Sequence, residues 1–446
     1  MTPPVRVWCA TAAYAVVYFI LGADRYLTYR SGADLGLFTQ SIATVFHGFS
    51  NTLEGGSHFT FHFSPILYLC APFLLAAHSP LALVALQAIA CALVAPPLFW
   101  IASRRVPLGL AYGIVAVALL YPPLAGVTFT DFHEIGFAPA ATLWLLWAVD
   151  ARRWALAALF AAVTLGIKED ESLILAFAAL VGIVYFRRRG ERGGVAFSAV
   201  TGCAAVAVFV LYFTVVRPLA GATEPWNPLH FYMWTRVVDP HGSTPWWSIG
   251  RPAYFLEALV PVAFAPLFSP AFVLALPGLA ECLFSHESLT YTMGQHYAGA
   301  WIPYVLFAFV DAIARFQRRK PRVARNLVVA SIVLSVLNLT LASPTHWGHF
   351  LGPRTAHDAA IDRVLARLPP DLDVGTHDEF YAHLGFDRNA SIGLKRNPRY
   401  ALFDRTYYSA SWVNEIRPVL QRGLAAGTYR VVSSDDGIEL YERVGK

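Results

Sequence analysis

Charge is what this chain has least of. Only 14% of its 446 residues are Asp, Glu, Lys or Arg, and 56% are hydrophobic. A soluble domain carries nearer a quarter charged residues. An ordinary soluble domain is therefore excluded, and a polytopic membrane protein is expected. Cysteine is scarce as well. Cys9, Cys70, Cys91, Cys203 and Cys282 are scattered through apolar stretches without a CxxC pair. Neither a disulfide framework nor a zinc knuckle has a basis. No P-loop, dinucleotide fingerprint, GxSxG elbow or HExxH run occurs, so soluble-nucleotide chemistry has no support. The net charge of +5 is modest. Its Arg and Lys fall at span ends, where they orient helices, and nucleic acid is not an expected partner. The N-terminus has one Arg, an apolar run and no small-residue cleavage site, so it reads as a retained first span.

The charges that are present sort into two sets. Basic groups close one end of successive apolar stretches: Arg104-Arg105, Arg152-Arg153, Arg187-Arg188-Arg189 and Arg318-Arg319-Lys320. Such ends read as cytoplasmic. Acidic and His-rich clusters close the other end: Asp34, His58 and His62; Asp131, His133 and Glu134; Lys168 to Glu171; His286, Glu287 and His296. All would then face the outside together, delivering distant segments to one surface.

A bilayer crossing needs about 20 apolar residues. Spans are expected at 7–23, 80–103, 107–127, 136–149, 154–167, 172–186, 195–216, 254–268, 271–285, 297–315 and 325–342. That gives about 11 crossings of the plasma membrane, with the N-terminus inside and the C-terminus outside. The fold class is mainly α: a transmembrane helical bundle over 1–342 and a small extracytoplasmic α/β domain over 343–446. The outer loop 24–79 carries a helix at 33–47 suited to the interface, and 65–77 reads as in-plane or re-entrant. Whether 254–285 crosses twice or forms one broken hairpin stays open. The loop 217–253, with Trp226, Trp234, Trp246 and Trp247, reads as an aromatic belt or as stacking platforms. In the tail, 373–376, 401–404 and 429–432 look like strands, with a hairpin turn at Asp435-Asp436-Gly437.

Three neighbouring spans, 136–149, 154–167 and 172–186, are too short. Fourteen residues rise about 21 Å against a hydrocarbon core of roughly 30 Å. Arginines at the inner ends snorkel, so the deficit falls on the outer side. Lys168 to Glu171 and Asp131 to Glu134 then sit below the outer headgroups, where charge is costly unless it lines water or binds something. A polar cavity open to the outside follows, or else short spans packed against long tilted ones.

Each candidate has two readings. Asp34 is a helix cap or a general base for an acceptor hydroxyl. His58 and His62 stand at i and i+4, but their Phe/Thr surroundings and Ser64-Pro65 argue against a helix, so hydrogen bonding to phosphate or hydroxyl is preferred to metal ligation. Asp131, His133 and Glu134 hold a divalent ion, Mg2+ or Mn2+, with a lipid phosphate, or are a solvated loop. Lys168 stabilises a phosphate leaving group, with Glu169 or Asp170 ligating metal or holding it in place. The alternative is an internal ion pair. Gln295, His296 and Tyr297, with His286 and Glu287, complete the polar cavity, and His377 to Glu379 is a helix start.

The motifs Ala33 to Gln40, His58 to Pro65, Tyr121-Pro122-Pro123, Asp131 to Glu134, Lys168 to Glu171 and Gln295 to Tyr297 together resemble a bacterial and archaeal family of polytopic membrane proteins of unknown function. That family is grouped with the GT-C superfamily of lipid-linked-sugar glycosyltransferases. The resemblance implies a polyprenyl-phosphate sugar donor reached from the outer leaflet. It implies inversion at the anomeric carbon and an acidic residue after the first span, the place of Asp34. Where many GT-C enzymes have paired acids, this chain has Ala33-Asp34, which speaks against metal binding by that loop.

The resulting expectation is a membrane glycosyltransferase acting on an extracytoplasmic glycan, lipid or protein acceptor. Asp34 would be the base, and His58, His62, His133, Lys168, His296 and Tyr297 would bind substrate or phosphate. Asp131, Glu134, Glu169 and Asp170 would be available to a metal. Two other classes stay open: a lipid or solute transporter or flippase, and an envelope scaffold or sensor. Intramembrane charge and broken spans suit a transporter, but charges gathered on one side suit an enzyme better.

Overall fold

The computed structural model describes residues 4–224, 248–341, 351–407, 409 and 411–444. Trp226, Trp234, Trp246 and Trp247 lie outside these, as does the expected boundary at 342/343. In chain order the helices are α1 (Val5–Leu27), α2 (Ala33–Ala43), α3 (Leu67–Ala77), α4 (Leu81–Ala92), α5 (Ala95–Ser103), α6 (Leu108–Leu119) and α7 (Pro122–Phe129). Then come α8 (Ala138–Asp150), α9 (Trp154–Leu165), α10 (Glu169–Arg188) and α11 (Arg192–Leu211), which a π turn carries into α12 (Arg217–Leu219). After these come α13 (Gly250–Leu259), α14 (Leu276–Phe284), α15 (Ile302–Arg319) and α16 (Pro321–Leu341). The tail adds α17 (Ala356–Leu365), α18 (Asp378–His383) and α19 (Arg417–Ala425).

Two compact units result: Met1–Ile20, His62–Leu67 and Ala85–Trp347 in the first; Leu21–Phe61, Tyr68–Val84 and Gly348–Lys446 in the second. Most of the first outer loop thus belongs with the C-terminal region.

The first unit is helical. Its centre is α15, buried almost without break from Trp301 to Ala314, with α5, α8 and α16 packed on it. The outer helices α11 and α16 turn Val200, Val206, Val329 and Val333 outward, as lipid-facing helices do. Among the described residues, α1, α4 with α5, α11 with α12, and α16 are long and apolar enough to cross a membrane. The pair α6 and α7 joins them if its 45° bend counts as one broken span. Pro122 and Pro123 open α7 at that bend, because proline cannot continue the hydrogen-bond ladder.

Two expectations need correction. The stretch 254–268 is not one helix. It stops at Leu259 and breaks into 3-10 turns around Pro261 and Pro266, with Ala263 and Phe264 in the left-handed region. And α10 is not short: it has 20 residues and begins at Glu169. Glu169, Asp170 and Glu171 occupy its first turn, where the helix dipole favours carboxylates. The helices α8 and α9, of 13 and 12 residues, stay short, and α9 rises only about 18 Å.

The basic turns do gather at one end. Asp150 takes an ion pair from Arg105 and another from Arg104 at 3.6 Å, while Glu191 takes Arg152 at 2.6 Å and Arg189 at 3.0 Å. These pairs tie together the α5–α6, α8–α9 and α10–α11 turns.

The second unit holds a short hairpin, β1 (Ser50–Asn51) with β2 (Gly56–Ser57), and the sheet β4-β3-β5-β7-β6, from β3 (Val374–Thr376), β4 (Ser391–Ile392), β5 (Tyr400–Asp404), β6 (Tyr429–Asp435) and β7 (Ile438–Arg443). β3 runs parallel to β4 and β5, and β5, β7 and β6 are antiparallel. Phe403, Trp412, Ile416, Leu420 and Tyr441 form its core. The strands agree with those read from the sequence; β4 and α19 had no clear signal.

The helix α2 packs on α18. Gly36 leaves room for Tyr381, whose ring a Cβ would meet at 2.5 Å. Gln40 accepts from the Thr52 amide at 2.6 Å and the Tyr381 hydroxyl at 2.9 Å, and donates to the Asp387 carbonyl at 2.6 Å. Every residue from Leu35 to Ile42 is buried. Protein therefore covers the apolar face whose spacing suggested a membrane interface.

Candidate active site

In the first unit, the polar residues collect at the ends of α8, α9, α10 and α15 opposite the arginines. Turn geometry builds the collection. Residues 62–67 lie along the α9–α10 turn, with the Ile66 amide donating to the Gly166 carbonyl at 2.7 Å. Glu169 then receives His62 Nδ1 at 2.8 Å and the Phe63 amide at 2.8 Å, one on each carboxylate oxygen. Lys168 Nζ lies 2.9 Å from Asp170 Oδ2.

A second strand of the site comes from close backbone approach. A Cβ on Gly126 would meet the Gly294 Cα at 2.6 Å, and one on Gly299 the Ile135 carbonyl at 2.7 Å. Such contacts bring the loop after α7 against the loop before α15. There the His133 and His296 rings stack at 3.4 Å, 18° from parallel, and Tyr297 packs on His296 at 4.0 Å. Gln87, buried on α4, holds the first loop. Its amide nitrogen donates to the carbonyls of Val127 and Thr130, each at 3.0 Å, and its oxygen accepts from the His133 amide at 2.8 Å. Asp131 adds a backbone carbonyl to His133 Nδ1 at 3.0 Å.

Electrostatics join the two strands. Burial works against charge on His62, but Glu169, aided by Glu134, raises its pKa above the ordinary value. Lys168 is likewise desolvated, yet Asp170, Glu169, Glu134 and Glu281 hold it well above the usual lysine range. Lys168 is a cation at neutral pH, and the charged form of His62 is favoured. Burial lowers the pKa of His296 well below its ordinary value, reinforced by His133, Lys168 and His62, so its ring is neutral. Two buried acids face this group with oxygens that have no hydrogen-bond partner: Glu134 through Oε2 and Glu171 through both. Full burial of unpaired carboxylate oxygens is expensive in a folded protein. Glu134 lies among the charges that act on His62 and Lys168.

The sequence-derived candidates thus divide. His62, His133, Glu134, Lys168, Glu169, Asp170, His296 and Tyr297 come together in the first unit, with Asp131 contributing backbone. Asp34 and His58 belong to the second unit. Asp34 is not the cap of α2, a place held by Gly32; it stands half-buried in the first turn. His58 is buried, its Nδ1 3.0 Å from Glu54 Oε1, with Phe38 edge-on. The 3-10 turn that carries His58 ends at Thr60, short of His62. Among the described residues no three His, Cys, Asp or Glu groups are disposed to hold a metal ion. Glu169 is bound to His62 and Phe63, and Asp170 to Lys168, so the expected carboxylate ligands do not form one donor set. Gln87 and Glu281 were not anticipated. Glu281 faces Asp170, Lys168 and Glu171. Both were visible as lone polar residues in apolar runs, a pattern that marks function in membranes.

The sequence matches the family model described as predicted membrane protein (DUF2079) over residues 26–440. The chain belongs to that family. No curated protein matches it. Among solved structures, this DUF2079 protein shares its fold with ArnT from Cupriavidus metallidurans, bound to undecaprenyl phosphate and in the apo state. The TM-score is 0.59 for both, with 12% and 13% identity and 99% of each chain covered. An Archaeoglobus fulgidus oligosaccharyltransferase tethered with an acceptor peptide also aligns, at TM-score 0.38, 11% identity, 98% of this chain and 74% of that one. The fold of this DUF2079 protein resembles that of the ArnT structures, and its location is a membrane crossed several times.

Proposed function

We propose that this protein is a membrane glycosyltransferase that moves a sugar from a polyprenyl phosphate to an extracytoplasmic acceptor, with inversion. The observation that carries the reading is the carboxylate-paired His62 and Lys168, partly buried and set among loops of a bundle whose fold is shared with an ArnT bound to undecaprenyl phosphate. Two basic side chains held in place by carboxylates suit the phosphate of such a lipid. The basic turns at the other end favour a cytoplasmic place for that end, and with it an outer place for the cluster.

In this reaction the acceptor hydroxyl loses its proton to the Asp34 carboxylate as its oxygen bonds to the anomeric carbon. The bond from that carbon to the phosphate oxygen breaks, and the polyprenyl phosphate leaves with the electron pair. Attack opposite the leaving group inverts the centre. Lys168 and His62 meet the charge that develops on the departing phosphate, the kind of preorganised stabilisation worth several kcal/mol. The role of Asp34 is supported by the family resemblance and by its place opening α2.

The test is the lipid that copurifies. Mass spectrometry of the purified protein should find a polyprenyl phosphate or its glycosylated form. Ordinary phospholipid alone would overturn the donor assignment.

A further inference from the structure

The first unit contains a second feature that the proposed reaction does not use. A cavity of about 790 Å³ lies among α8, α10, α11 and α15. Its walls are almost wholly apolar, from residues such as Leu145, Leu175, Ala179, Phe197, Leu274 and Phe307. It reaches the arginine end of the bundle, where Arg105, Arg152, Arg188, Arg189 and Arg315 line it together with Asp150 and Asp311. At its far end are Tyr304 and Thr142, whose buried hydroxyl oxygens have no hydrogen-bond partner. From Tyr304 to Arg315 it follows about 16 Å of helix.

We infer that this cavity is a binding site for an anionic phospholipid of the cytoplasmic leaflet, one acyl chain inside and the phosphate at the arginines. The argument is one of charge. Lipid tails are as apolar as the walls, so burying a chain gives little net drive within a bilayer. What selects an occupant is the mouth. Asp150 is shared by Arg104 and Arg105, Glu191 by Arg152 and Arg189, and Asp311 by Arg315 and Ser269. The cations outnumber their partners, and Arg188 is exposed beside them. A basic pocket between membrane helices on the cytoplasmic side is the setting in which anionic headgroups bind. A zwitterionic lipid brings its own cation and loses that advantage. The inference is independent of the donor reading, because the mouth lies at the opposite end of the helices from His62 and Lys168.

The experiment uses the full chain in detergent, titrated with phosphatidylglycerol or phosphatidylcholine and read by native mass spectrometry. Phosphatidylglycerol should bind roughly tenfold more tightly, the worth of one charge-assisted contact. Arg188→Gln, a change at an exposed side chain, should remove most of that preference. Ala178→Trp, which fills the cavity, should abolish binding of either lipid while leaving the copurifying lipid of the His62 and Lys168 site in place. Equal affinity for the two lipids, or undiminished phosphatidylglycerol binding in Ala178→Trp, would overturn the assignment. Displacement of phosphatidylglycerol by undecaprenyl phosphate would also overturn it, naming a polyprenyl chain as the occupant.

Discussion

His62 Nδ1 lies 2.8 Å from Glu169 Oε1, across 107 residues of sequence. The contact favours the charged form of a histidine against the desolvation that disfavours it. Because the folded-state pKa is raised above its ordinary 6.5, the charged pair is complete below pH 6.5 and disappears as pH rises through the elevated value. Donor binding should therefore weaken on the alkaline side. Glu169→Gln removes the carboxylate and should move that loss to lower pH. The profile of donor affinity against pH in the two proteins decides the matter; identical profiles would remove His62 from phosphate binding.

Lys168 is the second cation, and a conservative series separates its charge from its packing. Lys168→Met should lower turnover by about a hundredfold or more, the usual cost of removing one preorganised donor to a developing anion. Lys168→Arg should recover part of it. Equal turnover in the wild type and in Lys168→Met would show that the Lys168–Asp170 pair, 2.9 Å apart, only fixes the turn.

Asp34→Asn retains the shape of the first turn of α2 and removes the base. Transfer should fall by at least 10²- to 10⁴-fold, the usual contribution of general base catalysis. Expression and thermal stability should stay near those of the wild type, since Asp34 does not cap the helix. Near-normal turnover would assign the base elsewhere.

Much of this could be read from the chain, and the remainder divides by physical cause. The sorting of Arg104, Arg152 and Arg188 from Lys168 and His296 was legible because each helix end carries its own charge. The strands at 400–404 and 429–435 were legible because alternation and a turn at Asp436-Gly437 are local signals. The docking of α2 was not. It depends on Gln40 meeting Tyr381, 341 residues away, and on Gly36 leaving space for that ring. Amphipathic spacing marks a face that needs cover, but it does not say whether lipid or protein supplies the cover. The start of α10 was misjudged for a related reason: three acids look like a loop until a helix dipole is placed beneath them.

The stacking of His133 on His296 rests on the approach of Gly126 to Gly294. Replacing glycine by alanine within a helix favours folding by about 1 kcal/mol. At Gly126 the added methyl would sit 2.6 Å from backbone, and overpacking of this kind costs about 1–3 kcal/mol. The clash should win. Gly126→Ala is expected to lower the thermal midpoint of the purified protein, whereas Gly109→Ala, with nothing near its Cβ, should hold or raise it. A raised midpoint in Gly126→Ala would show that the two loops part readily.

The second unit should be the acid-sensitive part of the molecule. His377 accepts the Asp404 amide at 3.0 Å, and His383 bonds the Tyr26 carbonyl at 3.0 Å between the rings of Tyr26 and Tyr29. Burial lowers both to about 4. A depressed histidine stabilises the fold fully above its unfolded value near 6.5 and loses that contribution as pH falls toward 4. Each site then forfeits up to about 3 kcal/mol. His357 works in the opposite sense: Asp404 and Asp436 raise it, so it contributes below 6.5 and less at higher pH. It is more open to solvent than the other two, so screening leaves it the smaller effect. The balance favours loss of stability in acid. Hydrogen exchange on the full chain at pH 7 and pH 4.5 should show amides of β3 and β5 losing protection before those of α15. His383→Gln, which retains a donor for the Tyr26 carbonyl without a titrating ring, should blunt the change. Equal protection of β3 and β5 at both pH values would show that the two imidazoles take up protons without disturbing the sheet.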